Sequence, residues 1–196
     1  MKIHPFDRVL SKRFGSVLHH GSHNPDGKAC ALEAASVARG KRWSDDPGNA
    51  GLPDLRPIND GPWSSDEART KAMVPAIRAL WGWPKWGETK QKALTNAVTL
   101  RMIREVLPDI YDAIGLDEHA KTMRESADLA MAARAAEATS AAAEAARAAA
   151  AAAGSAWAVA VAARAAAVAA GADRVLTQAC RIWQEEAERS EKGVEA

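Results

Sequence analysis

Ser64-Ser65-Asp66-Glu67-Ala68-Arg69-Thr70-Lys71-Ala72-Met73-Val74-Pro75-Ala76-Ile77-Arg78-Ala79-Leu80-Trp81 is the stretch that decides the fold class. Ser64 stands where a helix N-cap is expected, and Glu67, three residues on, completes a capping-box pattern. Met73, Ile77, Leu80 and Trp81 then recur at helical spacing, and Pro75 is expected to kink the helix. Downstream, Gly82-Trp83-Pro84-Lys85-Trp86-Gly87 reads as a rigid aromatic turn. A helix over about 88–106 follows, with Ala93, Ala97, Leu100, Ile103 and Val106 on one face, and Pro108 ends it. A short helix over about 109–114 stops at Gly115. Upstream, 28–39 reads as a helix with Gly40 as its stop. Residues 41–63, with Pro47, Pro53, Pro57 and Pro62, read as loop, and 1–27 as a short strand or a single helical turn.

From Asp117 the composition changes. Roughly two-thirds of residues 130–170 are alanine, the strongest helix former. Gly154-Ser155 and Gly171 mark interruptions, and Val175, Leu176, Cys180, Ile182 and Trp183 restore a bulky apolar face. Arg134 with Glu137, and Glu144 with Arg147, are spaced to pair on a wet face. A helix of alanine buries little area per residue and lets another helix approach closely. It is expected to pack against a second copy of the chain, a hairpin partner or the N-terminal region. The expected fold is therefore mainly α: a small N-terminal motif domain with a helical bundle over 1–116, an alanine-rich, oligomerising helical region over 117–190, and a frayed tail over 191–196.

Charge and composition narrow the partners. Net charge is +1, with Lys and Arg scattered among Asp and Glu, unlike the basic face of a protein that binds a nucleic-acid polymer. No apolar run reaches the roughly 20 residues that a membrane span needs, and Met1-Lys2-Ile3-His4-Pro5-Phe6 lacks the apolar core of a signal peptide. A cytoplasmic protein with no membrane partner is expected. Cys30 and Cys180 are too far apart for a disulfide framework or a zinc-finger spacing.

Reactive side chains concentrate in Gly21-Ser22-His23-Asn24-Pro25-Asp26-Gly27-Lys28-Ala29-Cys30-Ala31-Leu32-Glu33-Ala34, with Asp45 and Asp46 shortly after. Cys30 and Glu33 share a helix face, and His23 lies in the preceding turn, near a helix N-terminus with free N–H groups. Three chemistries fit. His23, Glu33 and Asp45, with or without Cys30, can ligate a metal. Cys30 can act as a nucleophile with His23 as base. The same groups can line a pocket for a small polar ligand, with Arg39, Arg42 and Arg56 supplying charge for a phosphate. A structural explanation also covers each residue: Cys30 as a small core residue, Glu33 paired with an arginine, His23 and Asp45 capping helices or turns. His19-His20 with His23 suggests a metal or, more simply, a solvated loop. Trp81, Trp83 and Trp86 can stack a base or sugar but read first as core and turn packing, and Asn59-Asp60-Gly61 reads as a turn.

The stretches 21–27, Cys30-Ala31-Leu32-Glu33-Ala34-Ala35, Gly40-Lys41-Arg42-Trp43-Ser44-Asp45-Asp46-Pro47 and Ile58-Asn59-Asp60 together resemble an uncharacterised family of actinobacteria and their phages. Its members read like G-x-H-x-P, C-x-M-E-A, G-E-x-W-S-D-H-P and W-N-D, and end in alanine-rich helices. The resemblance makes His23, Cys30, Glu33, Trp43, Asp45, Asn59 and Asp60 the motif positions. This chain departs at Asp46, where the family has histidine, and in a shortened segment between Pro47 and Ile58. The resemblance implies a phage-type accessory protein that counters host defence; no cofactor is expected. The expected function is to sequester a small anionic, nucleotide-derived ligand. His23, Glu33 and Asp45 would orient it, Arg42 and Arg56 would meet its phosphates, and Trp43 would stack on a ring. The alternatives are hydrolysis of that ligand through a metal or Cys30, and a helical inhibitor that binds a host protein.

Overall fold

The computed structural model describes residues 3–20, 23–113, 115–126, 128, 130, 131 and 171–193. These are mainly helical, as expected, with no strand among them and one isolated bridge between Asn24 and Lys28. No helix among them is long and apolar enough to cross a membrane. The chain divides into two compact units, residues 1–94 with 172–196, and residues 95–171.

The first unit is built around α2 (Ala31–Ala38), whose first six residues are all buried. A helix buried on every side is expected to be apolar all round. Here only Glu33 and Ser36 break that rule, and Ser36 Oγ is satisfied by the Ser44 carbonyl at 2.8 Å. Around α2 pack α1 (Pro5–Arg13), α3 (Pro47–Ala50) and α5 (Asp66–Ala79). Phe6, Leu10, Phe14, Leu18, Leu32, Met73, Ile77 and Leu80 fill the core.

Several local expectations change. Residues 5–13 form a true helix, because His4 Nδ1 accepts from the Phe6 N–H and Pro5 and Asp7 occupy its first turn. Pro47 and Pro57 do not mark loop. They open α3 and α4 (Arg56–Asn59), where a missing N–H costs nothing. Pro108 does not end the helix before it: the helical run passes through it without a break into α7 (Leu107–Ala113). Ser65, not Ser64, caps α5, its Oγ accepting from the Ala68 N–H at 3.1 Å. With Ser65 as cap, Glu67 falls one position short of the capping box. Ser64 turns to the Asp173 carboxylate instead, its N–H donating at 2.7 Å and its hydroxyl also bonding there. Gly40 behaves as read, ending α2 with φ 68°.

After α5, Leu80–Lys85 form a 3-10 turn, and α6 (Glu88–Arg101) crosses the boundary between the units. The last helix, α9 (Ala172–Glu191), was grouped by the sequence with the alanine tract. It packs instead on α5, α4 and the 3-10 turn within the first unit. Ala179, Cys180, Ile182, Trp183, Glu186 and Ala187 are its buried face, with Glu186 paired to Arg189 at 2.7 Å, and full burial of a side chain such as Ile182 contributes about 1.5–3 kcal/mol. The Leu176 side chain of α9 lies against the turn after α4: a Cβ on Gly61 would lie 2.8 Å from its methyls.

In the second unit, α6 continues through a π-helical turn (Met102–Val106) into α7, which packs on α8 (Asp117–Arg124). Val98, Val106, Ala120 and Met123 are buried there, and Arg124 pairs with Asp112 and Asp109. Residues 132–170 lie outside the described residues. So do Gly154-Ser155, Trp157, the Arg134/Glu137 and Glu144/Arg147 pairs, and the oligomerising surface expected of that tract.

Candidate metal centre

The loop between α1 and α2 folds back on itself. The His19 N–H donates to the Ala29 carbonyl at 2.8 Å, and the Asn24 N–H to the Lys28 carbonyl at 2.9 Å. These bonds set His23 over the start of α2. Cys30 is the N-cap of that helix. Its sulfur accepts from the Glu33 backbone N–H, and the Cys30 N–H donates to Glu33 Oε2 at 2.9 Å, a capping box with cysteine in the serine position. The next free N–H, on Ala31, donates to Asn59 Oδ1 at 3.1 Å, so buried Asn59 closes the helix end from α4.

His23 Nδ1 lies 2.9 Å from Glu33 Oε2, and Nε2 lies 3.0 Å from the His19 carbonyl oxygen. A carbonyl only accepts, so Nε2 carries a proton. Nδ1 is then the ring nitrogen turned to the Glu33 carboxylate. The donor atoms of His23, Cys30 and Glu33 all lie within 4.8 Å of one another. Glu33 therefore pairs with histidine, not with an arginine.

This geometry separates the chemistries left open by the sequence. Burial pushes the Cys30 thiol up to about 12; backbone N–H bonds from Glu33 and Leu32 pull the other way, and the Glu33 carboxylate adds to the rise. At neutral pH Cys30 alone is a thiol, and the thiolate is the nucleophile. A cysteine–histidine pair also needs one ring nitrogen for the thiol and the other for an orienting group. Here the nitrogen on the Cys30 side is taken by the Glu33 carboxylate at 2.9 Å. The arrangement fits a metal better: three unlike donors converge, and the imidazole gives its outer N–H to a carbonyl, the usual support of a ligating histidine. A bound divalent cation would also deprotonate the thiol outright.

Of the residues expected to act here, the structure brings together His23, Cys30 and Glu33, with Asn59 and Asp60 adjoining. Asp60 is exposed and accepts from Asn59 Nδ2 at 2.6 Å. The others have different employment. Asp45 is exposed and does not join the donor cluster, and Asp46 caps α3 by accepting from the Asn49 N–H at 2.9 Å. Arg42 is exposed on the chain leaving α2. Trp43 packs on Phe14, ring centres 5.9 Å apart. Arg56 is clasped by Asp54 through two bonds of 2.8 and 2.6 Å. Arg39 stacks 3.8 Å over Trp81 and donates to the Ala50, Gly51 and Trp81 carbonyls. The cavity of about 510 Å³ that Arg39 lines with Lys41, Asn49 and Trp81 therefore lacks a free guanidinium.

One residue enters that the sequence did not single out, and another changes its reading. Arg69 of α5 is 2% exposed, and its Nη1 donates to the His19 carbonyl at 2.6 Å, the same oxygen that holds His23. His19 is no solvated loop residue: its Nδ1 lies 3.0 Å from Asp66 Oδ2. Comparison of the chain with protein-family models, curated proteins and solved structures finds no match.

Proposed function

We propose that the protein binds a small anionic ligand at a metal ion held by His23, Cys30 and Glu33, and holds that ligand intact. One observation carries the reading: a nitrogen, a sulfur and an oxygen donor lie within 4.8 Å of one another, with the outer imidazole nitrogen tied to a carbonyl. That donor set suits zinc. Three protein donors leave a position for a ligand, whereas structural zinc sites are closed by four. A divalent ion would balance the Cys30 thiolate and the Glu33 carboxylate, and Arg69 adds positive charge beside them. A nucleotide-derived ligand, such as the phage setting implies, carries the matching negative charge.

Holding rather than cleaving follows from the side chains at hand. His23 uses both ring nitrogens, Glu33 serves as a donor, and Asp66 has one oxygen on His19 and the other on the His20 N–H. None of these is free to shuttle protons. Asp60, exposed beside Asn59, favours hydrolysis as the second reading. Zinc-loaded protein incubated with cyclic and linear nucleotides and ADP-ribose derivatives, then analysed by native mass spectrometry, is expected to carry an intact ligand that a chelator releases. A ligand recovered with changed mass establishes hydrolysis instead. No bound ligand, with or without zinc, rejects the proposal.

A further inference from the structure

Arg69 is a buried charge that metal binding alone does not explain. Nη1 bonds the His19 carbonyl. Nη2 stands 3.6 Å from Asp66 Oδ1, an ion pair too long to be a hydrogen bond. The Nε–H is buried and has no acceptor among the described residues. A buried donor without a partner costs about 1–3 kcal/mol, and more on a charged group.

Several acceptors of this region already take other donors. Asp66 Oδ1 takes the His20 N–H at 2.9 Å and Oδ2 faces the His19 ring. Asp60 Oδ1 takes Asn59 Nδ2. Glu33 Oε2 takes the Cys30 N–H and faces His23. The His19 carbonyl is shared by His23 and Arg69. Burial draws the Arg69 pKa down, while Asp66, Cys30 and Asp60 oppose that shift. The guanidinium thus lies within electrostatic reach of the thiol that would ligate the metal.

We infer that Arg69 is the second anchor of the ligand, which is a phosphate-type oxyanion with one oxygen on the metal and another accepting from Arg69 Nε. The inference rests on the metal-site reading above. Guanidinium is the side chain best matched to phosphate oxygens. A neutral ligand would fill the open metal position but leave Nε unpaired, so the pair of anchors selects for the anion.

Cobalt(II) in place of zinc makes both halves measurable, since a thiolate-to-cobalt absorption band reports Cys30 ligation and the weaker visible bands report what fills the open position. Inorganic phosphate is expected to shift the visible bands saturably. Arg69→Lys keeps the charge but loses the Nε–H. At saturating cobalt it is expected to bind phosphate roughly tenfold to a hundredfold more weakly, and the ratio of phosphate to imidazole affinity, imidazole being a neutral probe, is expected to fall by the same factor. Equal phosphate affinity in the two proteins overturns the inference while leaving the metal site standing. Absence of the thiolate band refutes the metal site and the inference with it. Should Arg69→Lys not fold, nitrogen-15 NMR of the unaltered zinc-loaded protein decides: phosphate must move the Arg69 Nε–H resonance, and an unmoved resonance at saturation overturns the inference. Tighter binding of AMP than of phosphate assigns the anion to a nucleotide, and equal binding to free phosphate; both uphold the oxyanion site.

Discussion

Cys30 and Cys180 are both buried, and burial pushes both thiols up to about 12, but their surroundings differ in kind. Cys180 sits in α9 among Ala179, Ile182 and Trp183, and burial is the only influence on it. Cys30 stands at the start of α2 with N–H groups donating to its sulfur, Glu33 and His23 beside it, and Arg69 within electrostatic reach. The α9 side of the unit is a mostly apolar interface whose buried charge, Glu186, is paired with Arg189 on the same helix. The α2 end gathers buried Glu33, Asn59 and Arg69, groups that are costly to bury unless partnered. Burial alone makes a thiol inert; the neighbours decide whether it can become a ligand.

The largest expected effect comes from breaking the α2 side. Cys30→Ala or Glu33→Gln should weaken zinc binding by more than the roughly 10–100-fold typical of losing an outer partner, with calorimetry as the readout. Unchanged affinity in Cys30→Ala would erase the distinction between the two cysteines. On the α9 side, Ile182→Ala should cost about 2–5 kcal/mol in urea unfolding, with zinc affinity of the folded protein unaltered. A negligible cost would remove α9 from the core of this unit. Cys180→Ala should cost about 1 kcal/mol and leave zinc binding alone.

The pH dependence sharpens the same contrast. In chelator, each thiol has a higher pKa folded (about 12) than its ordinary 9.0. The folded state holds these protons more tightly, so stability is full below pH 9 and falls as pH rises towards 12. Cys180→Ala should make that decline shallower, and equal slopes would show that Cys180 does not titrate with unfolding. Smallest of all, Arg56→Ala should leave phosphate affinity of the metal-loaded protein unchanged, because Asp54 already clasps Arg56 at the surface. A loss of affinity would restore Arg56 to the site.

The helical class was legible because α5 and α9 carry their apolar residues at helical spacing. His23, Cys30 and Glu33 were legible because they fall within one loop and one helical turn. Arg69 was not, because Asp66-Glu67-Ala68-Arg69 reads as ordinary surface charge. A signal was present all the same: Arg69 lies four residues before Met73 and eight before Ile77, so it occupies a core position of α5. Arg42, Arg56, Trp43 and Asp45 looked promising by nearness in sequence. Local partners claimed two of them, Arg56 through Asp54 two residues away and Trp43 through Phe14. Prolines 47 and 57 misled because proline opens helices as readily as it punctuates loops.

The most direct test of the metal centre is calorimetric titration of the chelator-treated protein with zinc near pH 7, repeated in buffers of different ionisation enthalpy to count protons released. The account predicts one ion per chain, with release of the Cys30 thiol proton, and loss of that release in Cys30→Ala. Zinc binding without proton release, or no saturable binding, would contradict it.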